Sequence, residues 1–216
     1  MTGILGVADL LCNANPKLDE PNQSYAHLLF ESAQQLLNVL NDLLNFSLLQ
    51  KGNLALHTKP FAIRKTIEEL KESARAQAEE KHLTLETKVA DAVPESITAD
   101  EERVRQVIAA MLANSLKFTS SGSIELSVEL KDEQIKISVK DSGIGIADED
   151  LDKIFLPFVQ VNGGIRRTHG GSGLSLCIAK HLAELMHGQI GVESKSGQGS
   201  IFWFTFAGAE AGASHD

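Results

Sequence analysis

Apolar residues recur along this chain first at helical and then at alternating spacing, and the change of period falls near residue 52. Residues 1 to about 13 carry Ile4, Leu5, Val7, Leu10 and Leu11 in a helical pattern, which turn formers between Asn13 and Pro21 interrupt. From Ser24 to Gln50, positions Leu29, Ala33, Leu36, Leu40 and Leu43 return every three or four residues, with Leu37 and Leu44 widening the stripe. Such a face suits a helix packed in a bundle, although an internal core helix would show it too. Ser24 is placed to cap this helix and Lys51-Gly52 to stop it.

After Gly52 the pattern predicts mixed α and β structure. A short strand is expected at Leu54–Thr58, then a helix opened by Pro60 and running from about Ala62 to Lys81. Leu83, Leu85, Thr87 and Val89 alternate as a strand, and Asp91 to Pro94 reads as a turn. Asp100 stands at an N-cap position before a helix with Val104, Val107, Ile108, Met111 and Leu112 on its apolar side. Ile124, Leu126, Val128 and Leu130 alternate, as do Ile135, Ile137 and Val139, and the short Lys131-Asp132-Glu133 link predicts a hairpin that delivers Asp141. A helix over 173–187 and strands near 189–193 and 200–206 complete the pattern, with Trp203 facing away from Phe202 and Phe204. The fold class expected is α+β: a two-layer α/β sandwich preceded by a helical hairpin. The division expected is a hairpin over 1–52, a second domain over 53–207 and a tail or linker over 208–216.

Composition narrows the function classes. With 216 residues and 43% hydrophobic content the chain can bury a real core. A net charge of −9 argues against a nucleic-acid surface. No apolar run approaches the roughly 18 residues needed to cross a bilayer, so no membrane contact by this piece is expected. Cys12 and Cys177 have neither disulfide-framework nor zinc spacing, which fits a reducing cytoplasm.

The candidate chemistry lies in four stretches within about sixty residues: Asn114-Ser-Leu-Lys117-Phe-Thr, Asp141-Ser-Gly-Ile-Gly145, Phe155-Leu-Pro-Phe158 and Gly170-Gly-Ser-Gly-Leu174. Asp141 ends a strand and precedes Gly143 and Gly145, so a fixed carboxylate faces a loop whose backbone can approach a flat ligand closely. A tight turn with a capping aspartate would read the same way in isolation. Asn114 and Lys117 are three apart and share one helical face, so an amide oxygen and an ammonium can approach one polyphosphate. Gly170, Gly171 and Gly173 precede an apolar helix beginning near Leu174, whose free N–H groups and positive end suit an anion. The polar segment between Phe158 and Gly170 has the composition of a mobile lid, with Arg167 better spaced than Arg166 to reach terminal phosphates. Phe155 and Phe158 either hinge that lid or belong to the core.

In this order the four stretches resemble the N, G1, F and G2 boxes of the sensor histidine kinase catalytic domain, whose wider ATPase group includes gyrases and mismatch-repair proteins. The resemblance implies a Bergerat-type ATP-binding fold and the cofactors ATP and Mg²⁺. It implies that Asp141 accepts from the adenine amine, that Gly143 and Gly145 shape the pocket wall, and that Asn114 ligates magnesium. Lys117 and Arg167 would clamp phosphate, and Phe155, Phe158, Gly170, Gly171, Gly173 and Leu174 would complete the ATP site. Two positions depart from the usual family run, Ala110 where a further asparagine is common and Ser175 where glycine is usual. Met1 to Leu11 looks like the stretch just downstream of the phospho-acceptor motif His-Glu-x-Arg-Thr-Pro, which is absent from this sequence. The resemblance therefore implies a truncated piece of a larger, cytoplasmic or membrane-bound sensor kinase. Its partners would be a response regulator receiver domain and, in the intact protein, a second copy through the N-terminal helices. A non-catalytic scaffold that docks on a partner kinase is the alternative.

Overall fold

The computed structural model describes residues 6, 7, 9, 11, 19–50, 54–160 and 172–210. Of the first expected helix, Gly6, Val7, Asp9 and Leu11 are described and are helical, and the Lys51-Gly52 stop lies outside the described residues. Helix α1 spans Glu20–Gln50 and begins four residues before Ser24, which therefore lies inside it and is not its cap. Asp19 sits at that end instead: its carbonyl accepts from Gln23 N–H at 2.9 Å and its side chain from Asn22 Nδ2 at 2.6 Å. Ala33 is buried, whereas Leu36, Leu40, Leu43 and Leu44 of the same stripe are exposed.

Residues 54–58 are not a strand; strand β1 is Lys59–Phe61 and Pro60 lies within it, not in a helix. Proline is tolerated there because β1 is an edge strand, antiparallel to β3 (Ile97–Ala99) with Pro60 opposite Thr98. A third strand, β8 (Ala209–Glu210), pairs with β3 on its other side, so the segment read as a tail begins by completing a small sheet. The three-residue β3 is too short to show a sequence period.

Helix α2 (Ile63–Glu80) and helix α3 (Glu101–Phe118) pack on a five-stranded sheet with helix α4 (Ser175–Leu185). The sheet order is β2 (Thr84–Val89), β4 (Ser123–Lys131), β5 (Gln134–Asp141), β7 (Ser200–Ala207) and β6 (Ile190–Ser194). β2 runs parallel to β4, and the other pairs in this sheet are antiparallel. The alternation seen in sequence has a simple cause: Ile124, Leu126, Ile135, Ile137, Val139, Phe204 and Phe206 all point into the helix layer and are buried. Each contributes about 1.5–3 kcal/mol by leaving water. The opposite face carries the polar partners, with Trp203 opposite Ser138 and the Lys136 ammonium 5.7 Å from the Trp203 ring. The β4–β5 hairpin turns through Asp132 and Glu133, both left-handed at φ 49° and 62°, as a two-residue turn between twisted strands requires.

Asp100 joins the two parts of this layer. Its Oδ1 accepts from Arg103 N–H at 3.1 Å, capping α3, and its Oδ2 accepts from His57 N–H at 2.8 Å, fixing the approach to β1. Asp100 is 3% exposed, and its loss leaves two part-buried donors without their acceptor. Asp100→Ala is expected to lower stability by about 1–3 kcal/mol. Urea unfolding measures this, and an unchanged midpoint would contradict it.

Candidate functional site

The last residue of β5 carries the site's central group. Asp141 is 5% exposed, with its strand neighbours Ile124 on β4 and Ser200 on β7 in register beside it. Its Oδ1 accepts from Gly143 N–H at 2.8 Å and its Oδ2 from Ser115 Oγ at 3.3 Å. Ser115 was not singled out in the sequence, yet it follows the buried Met111 by one helical turn, and a polar residue on an apolar helix face is a readable signal.

The loop after β5 is held against the end of α3. Ile144 N–H donates to the Phe118 carbonyl at 3.3 Å, and Gly143 passes so close that a Cβ there would stand 2.6 Å from the same oxygen. Gly145 has φ +67°, and any side chain would run into the Lys195 carbonyl. Gly197 N–H donates to the Ile144 carbonyl at 2.7 Å, and Ser194 Oγ accepts from Ile146 N–H at 2.9 Å. The glycine loop is therefore clamped between α3 and the β6–β7 turn.

On α3, Asn114 and Lys117 lie in the last turns of the helix, which ends at Phe118. Asn114 Nδ2 donates to the Ala110 carbonyl at 2.9 Å, so the nitrogen end of the amide is committed to its own helix. Lys117 Nζ is 5.0 Å from the Phe118 ring centre, and burial lowers its pKa. A partly desolvated ammonium of this kind favours an approaching anion.

Beyond the loop, a 3₁₀ turn at Asp148–Asp150 leads to the two phenylalanines, which part company. Phe155 packs against the core, whereas Phe158 is 62% exposed, left-handed at φ 62°, and edge-on to Phe46 of α1 at 6.2 Å. Phe158 N–H donates to the Gly173 carbonyl at 3.0 Å, tying the start of the polar segment to its end. Arg167, Gly170 and Gly171 lie outside the described residues. Gly173 and Leu174 lead directly into α4, where Leu174 is buried and Leu174 N–H donates to Ser172 Oγ at 3.2 Å.

The α1 residues that meet this end of α4 carried no sequence signal of their own. Asp42 Oδ2 accepts from Ser172 Oγ at 2.6 Å and from Ser175 Oγ at 3.4 Å, and Phe46 is edge-on to His181 at 6.3 Å. Contacts separated by 130 and 133 residues belong to tertiary structure, and neither hydropathy nor spacing encodes them.

Burial pushes the Asp141 carboxyl above its ordinary value of 3.8, against the lowering effect of hydrogen bonds from Gly143, Ser115 and the Ser200 backbone. A carboxyl with a higher pKa folded than unfolded binds more protons in the folded state, so its contribution to stability falls as pH rises from 3.8 through the folded value. Asp141→Asn removes this buried charge and keeps the bond from Gly143. The variant should be more stable than the parent chain at pH 7, with the difference closing toward pH 3. Thermal unfolding across that range checks the sign, and a less stable variant at pH 7 would contradict it.

The model of the family described as histidine kinase-, DNA gyrase B- and HSP90-like ATPase matches residues 99–210. Signal transduction histidine-protein kinase BarA of Escherichia coli (strain K12) is 33% identical over 209 residues, covering 94% of this chain and 22% of that protein. Sensor protein GacS of Pseudomonas syringae pv. syringae is 35% identical over 210 residues, covering 95% of this chain and 23% of that protein. The chain thus spans less than a quarter of the length of these two curated relatives. Among solved structures, full-length ShkA in complex with AMPPNP aligns with a TM-score of 0.81 at 35% identity, over 97% of this chain and 43% of that one. Histidine kinase ThkA in complex with response regulator protein TrrA has the same fold, with a TM-score of 0.67 at 21% identity over 94% of this chain and 56% of that one.

Proposed function

The chain belongs to the histidine kinase-, DNA gyrase B- and HSP90-like ATPase family and is homologous to sensor histidine kinases, and from that premise we propose how its own residues serve ATP. The observation that carries the reading is the buried Asp141 carboxylate, held rigidly beside a glycine loop. Such a group accepts from the adenine 6-amine, while guanine would set an acceptor against it, so Asp141 selects the base. Gly143 and Gly145 form the wall against which the flat base lies, because side chains there would fill the space between α3 and the β6–β7 turn.

Asn114 suits a magnesium ion carried by the phosphates. With Nδ2 bonded to Ala110, the amide oxygen remains as a hard donor, and among the described residues no cluster of three or more His, Cys, Asp or Glu forms a separate cage. Bound there, the ion would neutralise charge on the terminal phosphates. Lys117 supplies a desolvated positive charge toward the same group, and the Gly173–Leu174 turn presents the positive end of α4. By their motif positions, Gly170, Gly171 and Arg167 join them, with Phe158 anchoring the start of the lid on α1.

In the intact protein the γ-phosphoryl would pass to a histidine nitrogen and then to an aspartate on a response regulator receiver domain, as the name of the relative BarA, a signal transduction histidine-protein kinase, supports. In this reading residues 1–52 belong to a dimerisation hairpin and residues 53–210 to the ATP-binding domain, since β8 pairs with β3, which moves the expected start of the tail or linker from 208 to 211. The exposed leucines of α1 are the surface for a second copy in the intact protein. Among the described residues no helix is long and apolar enough to cross a membrane, which fits a cytoplasmic position for this part of the sensor.

Calorimetric titration of ATP, with and without Mg²⁺, tests the assignment. The parent chain is expected to bind in the micromolar range, Asp141→Asn to lose roughly a hundred-fold or more in affinity, and Asn114→Ala to lose its magnesium dependence. No binding by the parent chain would favour the scaffold alternative.

A further inference from the structure

Helix α1 places a carboxylate at the N-terminal end of α4, the end to which the proposed function assigns the polyphosphate. Asp42 accepts from two hydroxyls there, from Ser172 just before the helix at 2.6 Å and from Ser175 at its first residue at 3.4 Å, and Ser172 Oγ itself accepts from Leu174 N–H. An unsatisfied helix start attracts one negative group, because its N–H donors and the helix dipole reinforce each other. Asp42 brings a negative charge to that start from within the chain, held there by the Ser172 and Ser175 hydroxyls and not by the backbone N–H groups. Phe46, one turn further along α1, secures the contact by packing edge-on against both Phe158 and His181. The second hydroxyl is a feature of this sequence, since Ser175 stands where glycine is usual in the family run.

We propose that Asp42 is an internal competitor of the nucleotide's phosphates: docked on Ser172 and Ser175 it holds α1 against α4 and weakens ATP binding, and bound ATP displaces it. The proposal rests on the reading that this helix end receives the polyphosphate. Two anions beside one helix start repel, so occupancy by either weakens the other. Linkage makes the effect reciprocal: the nucleotide must loosen α1 from α4 by the same factor that the Asp42 contact weakens the nucleotide. The contact would thereby couple loading of the ATP site to the position of the helix that leads into it. The base-reading end of the pocket, at Asp141, makes no use of these donors. The effect should therefore depend on phosphates and not on adenosine.

The test compares the full 216-residue chain with Asp42→Ala and Ser175→Gly, titrating each with AMPPNP, ADP and adenosine. Circular dichroism verifies folding, and Ser175→Gly serves as the second variant if Asp42→Ala misfolds. Asp42→Ala should bind AMPPNP and ADP roughly five-fold or more tightly than the parent. Ser175→Gly should show a smaller gain, and adenosine affinity should be the same in all three. Unchanged AMPPNP and ADP affinity in the folded variants would overturn the proposal while leaving the ATP reading intact. An equal gain for adenosine would also overturn it, because the effect would then lie in pocket shape. Failure of the parent and both variants to bind any of the three ligands would overturn the ATP reading and this proposal with it.

Discussion

A carboxylate removed from water at the end of a central strand is costly, and the architecture around Asp141 exists to hold it there. Gly143 N–H and Ser115 Oγ each meet one of its oxygens, the Ser200 backbone adds a further hydrogen bond, and strands β4 and β7 enclose it in register. Burial nevertheless leaves its pKa raised, so the hydrogen bonds offset only part of the desolvation. A group kept at such cost suits the proposed role of facing a ligand. A further donor on a ligand, such as an adenine amine, would complete its solvation by the protein.

That constraint accounts for much of the surrounding geometry. The loop after β5 must approach the end of α3 closely enough for Gly143 to reach back to Asp141, which excludes side chains at Gly143 and Gly145. The β6–β7 turn closes over the same loop through Gly197 and Ser194, so the site is framed by backbone that cannot shift independently of the sheet. The end proposed for the phosphates is built differently. Gly173, Leu174 and Lys117 lie beside elements that α1 touches, and Asp42 and Phe46 tie that helix to α4.

Much of this was legible in the sequence wherever one face of an element is buried. Ile124 to Leu130 and Ile135 to Val139 alternate because the sheet has a helix layer on one side and polar partners such as Lys136 on the other. Asp100 announced its helix because the cap chemistry is local. Pro60 misled because proline fits both a first helical turn and an edge strand, and pairing with the distant Ile97–Ala99 decides between them. Ser24 misled because the helix start was set by Asp19, a few residues upstream. In the site, Asp141 and its glycines were legible as a motif; the supporting Ser115 was visible only as a polar residue on an apolar face. Asp42 could not be found, since its partners are 130 and 133 residues away.

Recognition of the adenine 6-amine by Asp141 is the central claim, and inosine triphosphate tests it most directly because it replaces that amine with a carbonyl. ATP and inosine triphosphate would each be used to displace a fluorescent ATP analogue from the full chain. The account predicts that ATP binds at least about a hundred-fold more tightly, since inosine leaves the buried carboxylate facing an acceptor. Equal displacement by the two nucleotides would contradict it.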